Sequence, residues 1–474
     1  MTPHTRSGRS GRSPAPAAEY AGALARIAER RRFGMRPGLE TIRALLEGLD
    51  NPQRSFRSIH VTGSKGKGSV TAIAASILAA TGAKVGRFTS PHLVSYRERI
   101  RVNDAMIPPD GVVGGLRTIE GLAEDLTRKG AIDREPTFFE VTTALAFLWF
   151  REQKVDAAVI EVGLGGRLDS TNVLDSPVGV ISSVELEHVE VLGPTLTAIA
   201  REKAGILHPG MTAVVGETKE EPLREIDRIA DQLGVPVWRL GAQVSVGARA
   251  LDEDGQQFPV TTPHRTYPKI RLPLHGIVQA GNAALAIAAA ERFQEALDRP
   301  LSPRQVQQGL SKVQWRGRLE RFGRRPEGWL DVAHTPESAR TLAQSLAEIA
   351  PLADPAGNAI VFGCLADKHA NEILEALSPL ASTVVVVPVR SARSLGAGDL
   401  QRSAVGRFPR VVVAPDVATA WKLARAAADP EGFVLVTGSD YLVGELISHV
   451  EGRPEDEPDL SDPGVAAPSA GAPR

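Results

Sequence analysis

Apolar residues along this chain fall into two kinds of run. Short, nearly uniform β-branched blocks alternate with longer stretches in which apolar positions recur at helical spacing. Ser58–Val61, Lys84–Phe88, Asp156–Val162, Val178–Val184, Thr212–Val215 and Val235–Trp238 are blocks of the first kind, and Ile270–Leu274 is a later one. Uniform runs of this type suit strands covered on both faces, as in parallel sheets. Val70–Ala80, Thr137–Phe150, Pro194–Ala204 and Ala280–Phe293 are of the second kind, and Phe138, Val141, Leu145 and Leu148 fall on one side of their helix. Thr81-Gly82 supplies a C-terminal glycine stop, and Pro194 is expected in a first helical turn. Two more helices, Tyr20–Arg31 and Leu39–Leu49, precede the first block.

Past Leu297–Ser302 the alternation becomes regular. Strands are expected at Trp329–Asp331, Ala359–Phe362, Thr383–Val387, Val411–Ala414 and Val434–Thr437, with helices such as Pro336–Ala350 and Pro415–Ala427 between them. The order predicts an α/β protein of two domains: a P-loop-type N-terminal domain with a mostly parallel sheet over 18–298, and a second, smaller doubly wound α/β domain over 299–452. The Pro-, Ala- and Ser-rich ends, 1–17 and 453–474, are expected to be disordered tails.

Composition narrows the class. The chain has 474 residues and 42% hydrophobic content, enough for two full cores. Its net charge of −1 gives no field for nucleic acid or a membrane surface. A single cysteine, Cys364, excludes a disulfide framework and fits a reducing, cytoplasmic setting. No apolar run is long enough to span a bilayer, and the N-terminal tail lacks the apolar core of a secretory signal. A monomer acting on small molecules is the expectation.

The chemistry centres on Gly63-Ser64-Lys65-Gly66-Lys67-Gly68-Ser69, between the first strand and the helix Val70–Ala80. Strand, glycine loop and helix make a phosphate cradle: loop amides and the helix N-terminus point at the anion. Lys67 would reach the β/γ-phosphates and Ser69 would hold Mg²⁺. The spacing is not that of a standard P-loop, because Gly68 intervenes between the lysine and the hydroxyl residue. Glu161 stands at the carboxyl end of a central strand, the edge at which open α/β sheets bind ligands, and is a candidate magnesium ligand. His188 follows another strand at the same edge.

At least seven strings, in order between about residues 20 and 450, carry a family resemblance. They include the glycine loop, Thr89-Ser-Pro-His-Leu93, Glu161-Val-Gly-Leu-Gly-Gly-Arg-Leu-Asp169 and Arg201-Glu-Lys-Ala-Gly-Ile206, then Gln279-x-x-Asn282, Trp315-Arg-Gly-Arg-Leu-Glu320 and Asp331-Val-Ala-His334. Together they resemble the folylpolyglutamate and dihydrofolate synthases of the Mur ligase superfamily. The resemblance implies an ATP-dependent ligase that adds L-glutamate to a folate or dihydropteroate carboxylate through an acyl phosphate. It implies ATP and one or two Mg²⁺, with Lys203 carbamylated and joining Ser69, Glu161 and His188 at the metal. Lys67, His188 and Lys203 are then the catalytic candidates. Asn282 is expected at the adenine, with Asp331 at the ribose and Arg318 over the nucleotide. Ser90, Pro91, His92, His334 and Ser439 are expected at the substrates. Departures from the family pattern are Ser64 and Lys65 for Thr and Asn, Glu185, Glu187 and Val189 for Gly, Asp and Thr, Val278 for His, and Val332 for Gly. Three further readings compete: another Mur-type amino-acid ligase, a generic P-loop kinase or ATPase, which would not require the second domain or its Asp331-Val-Ala-His334 string, and a nucleotide-binding homologue that the departures have impaired. ATP hydrolysis that needs both a pteroate and glutamate separates the ligase from the rest.

Overall fold

The computed structural model describes residues 17–34, 36–350 and 355–452. The two expected tails lie outside the described residues, save Ala17, which opens the first helix.

The first sheet has eight strands: β1 (Arg57–Thr62), β2 (Val85–Phe88), β3 (Ile100–Val102), β4 (Ala105–Met106), β5 (Ala157–Glu161), β6 (Val178–Ile181), β7 (Thr212–Val215) and β8 (Val237–Arg239). Their order is β4-β3-β2-β5-β1-β6-β7-β8, parallel from β2 to β8, with β3 and β4 antiparallel at one edge. The carboxyl ends of β5, β1 and β6 are therefore adjacent at the centre. The glycine loop, the Gly163–Asn172 loop and the 182–190 segment leave the sheet side by side, where such sheets bind ligands.

Alternate residues of the strands feed cores on opposite faces. Ile59, Val61 and Val159 pack with the helices Lys67–Ala79 and Gln279–Glu295. Ala158 and Ile160 pack with Phe138–Glu152, the helix that was expected from Thr137. Thr137 is its N-cap in a capping box with Glu140. The proline expectation at 194 fails for a similar reason. Thr195 accepts from the amide of Ala198 and caps the helix Leu196–Ala204, so Pro194 lies outside it.

A small antiparallel sheet covers the helix Gln279–Glu295 from outside: β9 (Ser245–Val246), β10 (Ala250–Asp252), β11 (Gly255–Thr261) and β12 (Thr266–Leu272). This explains why that helix is alanine-rich and buried on nearly every side. The sequence pattern placed only one strand here, at 270–274.

The second sheet comprises β13 (Glu320–Arg321), β14 (Glu327–Leu330), β15 (Ala359–Phe362), β16 (Thr383–Val386), β17 (Arg410–Val413) and β18 (Phe433–Thr437), in the order β13-β14-β18-β15-β16-β17. It is parallel apart from β13 and has a core on each face, as expected of a doubly wound unit. The change of core does not fall at 298. Val306, Leu310 and Val313 belong to the first domain's core. The helix Pro303–Ser311 lies against Lys67–Ala79 so closely that a Cβ on Gly309 would stand 2.5 Å from the Ile77 Cα, and Ser76 donates to the Gly309 carbonyl at 2.7 Å. Among the described residues no helix is long and apolar enough to cross a membrane.

Candidate active site

A cleft of about 1060 Å³ runs between the two sheets, lined from both domains. Of the candidate catalytic, nucleotide-, substrate- and metal-binding residues, all except Gly63 and Lys203 line it.

The glycine loop is held by the strand end beside it. Ser64 N donates to the Ser183 carbonyl at 2.8 Å, and Lys65 N to Ser183 Oγ at 2.9 Å. Ser182 Oγ donates to the Lys65 carbonyl at 2.5 Å. Gly63 has φ +147°, and a Cβ there would lie 1.9 Å from Ser182 Oγ; Gly66 has φ +82°, and a Cβ would lie 2.5 Å from Asn282 Oδ1. Both glycines are therefore obligatory. The second contact also places Asn282 directly against the loop, where Gln279 Oε1 accepts from its Nδ2 at 3.0 Å. Lys67 Nζ donates to the Gly63 carbonyl at 2.8 Å, its one bond in the free protein among the described residues. Ser69 is buried in the first turn of the helix Lys67–Ala79.

Glu161 ends β5 and accepts from the amide of Ser90 at 3.2 Å, tying the strand end to the Thr-Ser-Pro-His-Leu segment. Lys203 is 1% exposed, lies behind the cleft wall, and donates to Glu187 Oε1 at 2.8 Å. Burial lowers its ammonium to about 8, only partly opposed by Glu187. Burial alone would raise Glu187, but Lys203 and Lys67 overcome it and hold that carboxyl at about 2. The two are a charged pair at neutral pH. His188 is exposed, with φ 45°. Among the described residues no three His, Cys, Asp or Glu side chains converge as a metal site. Of the four residues expected at the metal, unmodified Lys203 is paired with Glu187 behind the cleft wall. Ser69, Glu161, Glu187 and His188 do line one cleft. Two carboxylates and a hydroxyl fit Mg²⁺, which takes one or two protein carboxylates and completes its shell with phosphate and water.

From the second domain, Asp331 follows β14. Its Oδ2 accepts from the amide of Leu319 and its Oδ1 from that of Ala333, each at 2.8 Å, so the carboxylate also fixes the arginine loop. Burial raises it to about 6 against Arg318 and these two amides. Glu320 completes the loop, accepting from Gly317 N and Arg316 Nε at 2.8 Å. His334 Nδ1 donates to the Val332 carbonyl at 2.9 Å, and burial lowers the ring to about 4. The neutral imidazole therefore presents Nε2 as an acceptor. Ser439 caps the helix Asp440–Glu451 by accepting from Leu442 N at 3.1 Å.

His92 accepts from Arg99 Nε at 2.9 Å and meets the Tyr96 ring edge-on. The segment is clamped by Glu98, which accepts from the amides of Leu93, Val94 and Ser95 at 3.0, 3.1 and 2.9 Å. Glu98 was not foreseen, although a Ser-x-x-Glu capping box spells it out. Nor was the buried relay His60–Thr171–Asp169: Thr171 Oγ1 lies 2.8 Å from His60 Nε2 and donates to Asp169 Oδ1 at 2.5 Å, locking the Gly163–Asn172 loop under β1. Ser182 and Ser183 carried no motif signal at all.

Residues 61–290 match the Mur ligase middle domain and residues 317–440 the Mur ligase glutamate ligase domain. The chain is similar to the folylpolyglutamate synthase of Lacticaseibacillus casei, 34% identical across 85% of this chain and 92% of the relative. It is similar to the dihydrofolate synthase/folylpolyglutamate synthase of Mycobacterium tuberculosis, 37% identical across 86% and 89%. The solved Mycobacterium tuberculosis folylpolyglutamate synthase complexed with ADP and AMPPCP superposes with a TM-score of 0.84 at 34% identity, over 92% of this chain and all of that one. Escherichia coli FolC in complex with DHPP and ADP gives 0.80 at 30% identity, over 93% and 100%. With both Mur ligase domains matched and the likeness running through nearly the whole chain, this protein belongs to the folylpolyglutamate synthase/dihydrofolate synthase family of Mur ligases.

Proposed function

We propose that this protein joins the amino group of L-glutamate to a carboxylate of a folate or dihydropteroate at the expense of ATP. The observation that carries the reading is the single cleft: the glycine loop and the Thr-Ser-Pro-His-Leu segment form one wall, and Arg318, His334 and Ser439 stand on the other. A carboxylate is a poor electrophile towards an amine. Transfer of the γ-phosphoryl gives an acyl phosphate and ADP; the amine then attacks the acyl carbon and phosphate leaves. The protein's part in such a transfer is mainly positioning and charge neutralisation. The loop amides and Lys67 would hold the phosphates, Asn282 the adenine end, and Arg318 with Asp331 the nucleotide from the second domain. His334 Nε2 would accept from the incoming amine. A cleft that closes between domains would keep water from the acyl phosphate.

Ser69 and Glu161, with Glu187 and His188 beside them, would hold one or two Mg²⁺, which would neutralise phosphate charge. Lys203 carries a carbamate in the working protein on this reading. Its burial brings the neutral amine, the form that reacts with CO₂, within reach near pH 8. The exchange would trade the ammonium held by Glu187 for an anionic oxygen of the kind Mg²⁺ prefers. A monomer in the cytoplasm, with a first domain that extends to Val313, completes the proposal; the free, buried Cys364 supports the reducing setting.

The test is product analysis with ATP, labelled glutamate and either dihydropteroate or a folate. A glutamylated product and ADP formed only when acceptor and glutamate are both present is the expected result. ADP release indifferent to the pteroate would overturn it.

A further inference from the structure

Two departures from the family pattern line the cleft beside Ser64 of the glycine loop: Lys65 stands where the folate ligases usually have Asn, and Glu185 where they have Gly. The Lys65 backbone is fixed from both sides. Its amide donates to Ser183 Oγ at 2.9 Å, and its carbonyl accepts from Ser182 Oγ at 2.5 Å and Ser183 Oγ at 3.3 Å. Its side chain is half-buried and lines the cleft. Among the described residues its ammonium has no hydrogen-bond or ion-pair partner. A cation that has given up part of its water without a partner is costly in the free protein.

Its surroundings say what it is kept for. Burial lowers the Lys65 ammonium, Glu187 and Glu185 act against that, and Lys67 and Arg318 add to it. Lys65 thus shares its field with Lys67 of the same loop and with Arg318 and His334 of the second domain. Lys67 is folded back onto Gly63. Glu185 is anchored beside Lys65 through its amide, which donates to Ser64 Oγ at 2.9 Å. Its side chain lines the cleft with Lys65 and with Glu337 of the second domain.

We infer that Lys65 is an additional cation on the transferred phosphoryl group, and that Glu185 is its counter-charge until nucleotide arrives. The inference rests on the nucleotide-site reading above. Lys65 belongs to the γ-phosphoryl rather than to the α- or β-phosphate because its side chain lines the cleft together with Arg318 and His334 of the second domain. Glu185 keeps the empty loop from accumulating unopposed cations beside Lys67 and Arg318. When phosphate oxygens take Lys65 over, Glu185 is left next to Glu187.

The experiment is calorimetric binding of ADP and of AMPPCP to the full chain, with no folate or glutamate present. Lys65→Asn is expected to weaken AMPPCP at least about tenfold and ADP less than about threefold, with Lys65→Arg recovering most of the AMPPCP loss. Glu185→Gly is expected to tighten AMPPCP in the wild-type background and to have no effect in the Lys65→Asn background. Equal losses for the two nucleotides, or a Glu185→Gly effect of the same size in both backgrounds, would overturn the inference. Circular dichroism of each variant separates lost binding from lost fold. A wild-type chain that binds AMPPCP with this coupling but forms no glutamyl product would refute the folate reading and leave this one standing.

Discussion

Lys203→Met removes an ammonium but keeps most of a buried stem. In the native protein Lys203 is 1% exposed and pairs at 2.8 Å with Glu187, which retains 20% of its side-chain surface. At an effective dielectric of about 20, two unit charges at that separation attract by about 6 kcal/mol, and desolvation of the ammonium offsets most of it. The larger consequence is the carboxylate left behind. Removing one partner of a buried pair costs about 3–5 kcal/mol. Glu187 keeps some water and the attraction of Lys67, so the expected loss is about 2–3 kcal/mol. Urea unfolding at pH 7 without nucleotide measures it. Lys203→Met with Glu187→Gln removes both charges and should recover at least half of the loss, while turnover recovers in neither variant. A second readout is pH. Burial lowers Lys203 to about 8 from 10.5, so between those values the unfolded chain binds more protons and stability rises with pH. That rise should vanish in Lys203→Met. A Lys203→Met chain as stable as wild type at pH 7, and fully active, would refute both the pair and the carbamate.

Lys67→Ala should lower turnover at least about a hundredfold, the loss of one transition-state charge contact, with the unfolding midpoint unchanged because its ammonium bonds only to Gly63 among the described residues. Glu187→Asp shortens the reach to Lys203 by one methylene and should destabilise by about 1 kcal/mol in equilibrium unfolding; an unchanged midpoint would show that the loop follows the shorter acid. Asp331, held at about 6 by burial against 3.8 when unfolded, makes the native state bind the extra proton between those values. Wild-type stability should therefore fall relative to Asp331→Asn as pH rises from 4 to 7, by up to about 3 kcal/mol, in paired unfolding curves at the two pH values. After CO₂ is stripped, activity should return on adding bicarbonate; rates indifferent to bicarbonate would count against the carbamate.

The parts legible in the sequence are those whose cause is local. β1, the glycine loop and its helix form one continuous strand–turn–helix, and the strand ends that carry Glu161 and His188 follow from uniform β-branched runs. What sequence could not supply were partners from distant chain segments. Glu187 was read as a longer acid beside His188; its carboxylate goes instead to Lys203, sixteen residues on. Asp331 was read only as a ribose contact, yet both its oxygens also accept amides that fix Leu319 and Ala333. Ser439 was read as a substrate contact, and its hydroxyl also caps a helix. The β9–β12 sheet escaped because its strands carry polar residues on a largely exposed face, as in Ala250–Asp252, and so lack the uniform apolar runs of the parallel strands.

The departure from the standard P-loop has a packing cause. A hydroxyl residue directly after the lysine would place its Cβ where Gly68 has none, and there it would lie 2.5 Å from Trp315 Cζ2. Trp315 belongs to the stretch that joins the two domains, just past the last residue of the first core, Val313. The indole lies between Gly68 and the guanidinium of Arg87, 5.6 Å from the ring centroid, on β2. The inter-domain connection is thus pressed onto the first turn of the helix whose N-terminus faces the cleft. Glycine at 68 lets the connection reach the loop, and Ser69, one position later, still stands in that first turn. Trp315 is therefore a direct side-chain contact between the inter-domain connection and the phosphate end of the helix. The Trp315–Leu319 loop, held on its other side by Asp331 and Glu320, is thus fixed both against the glycine-loop helix of the first domain and against the end of β14 in the second.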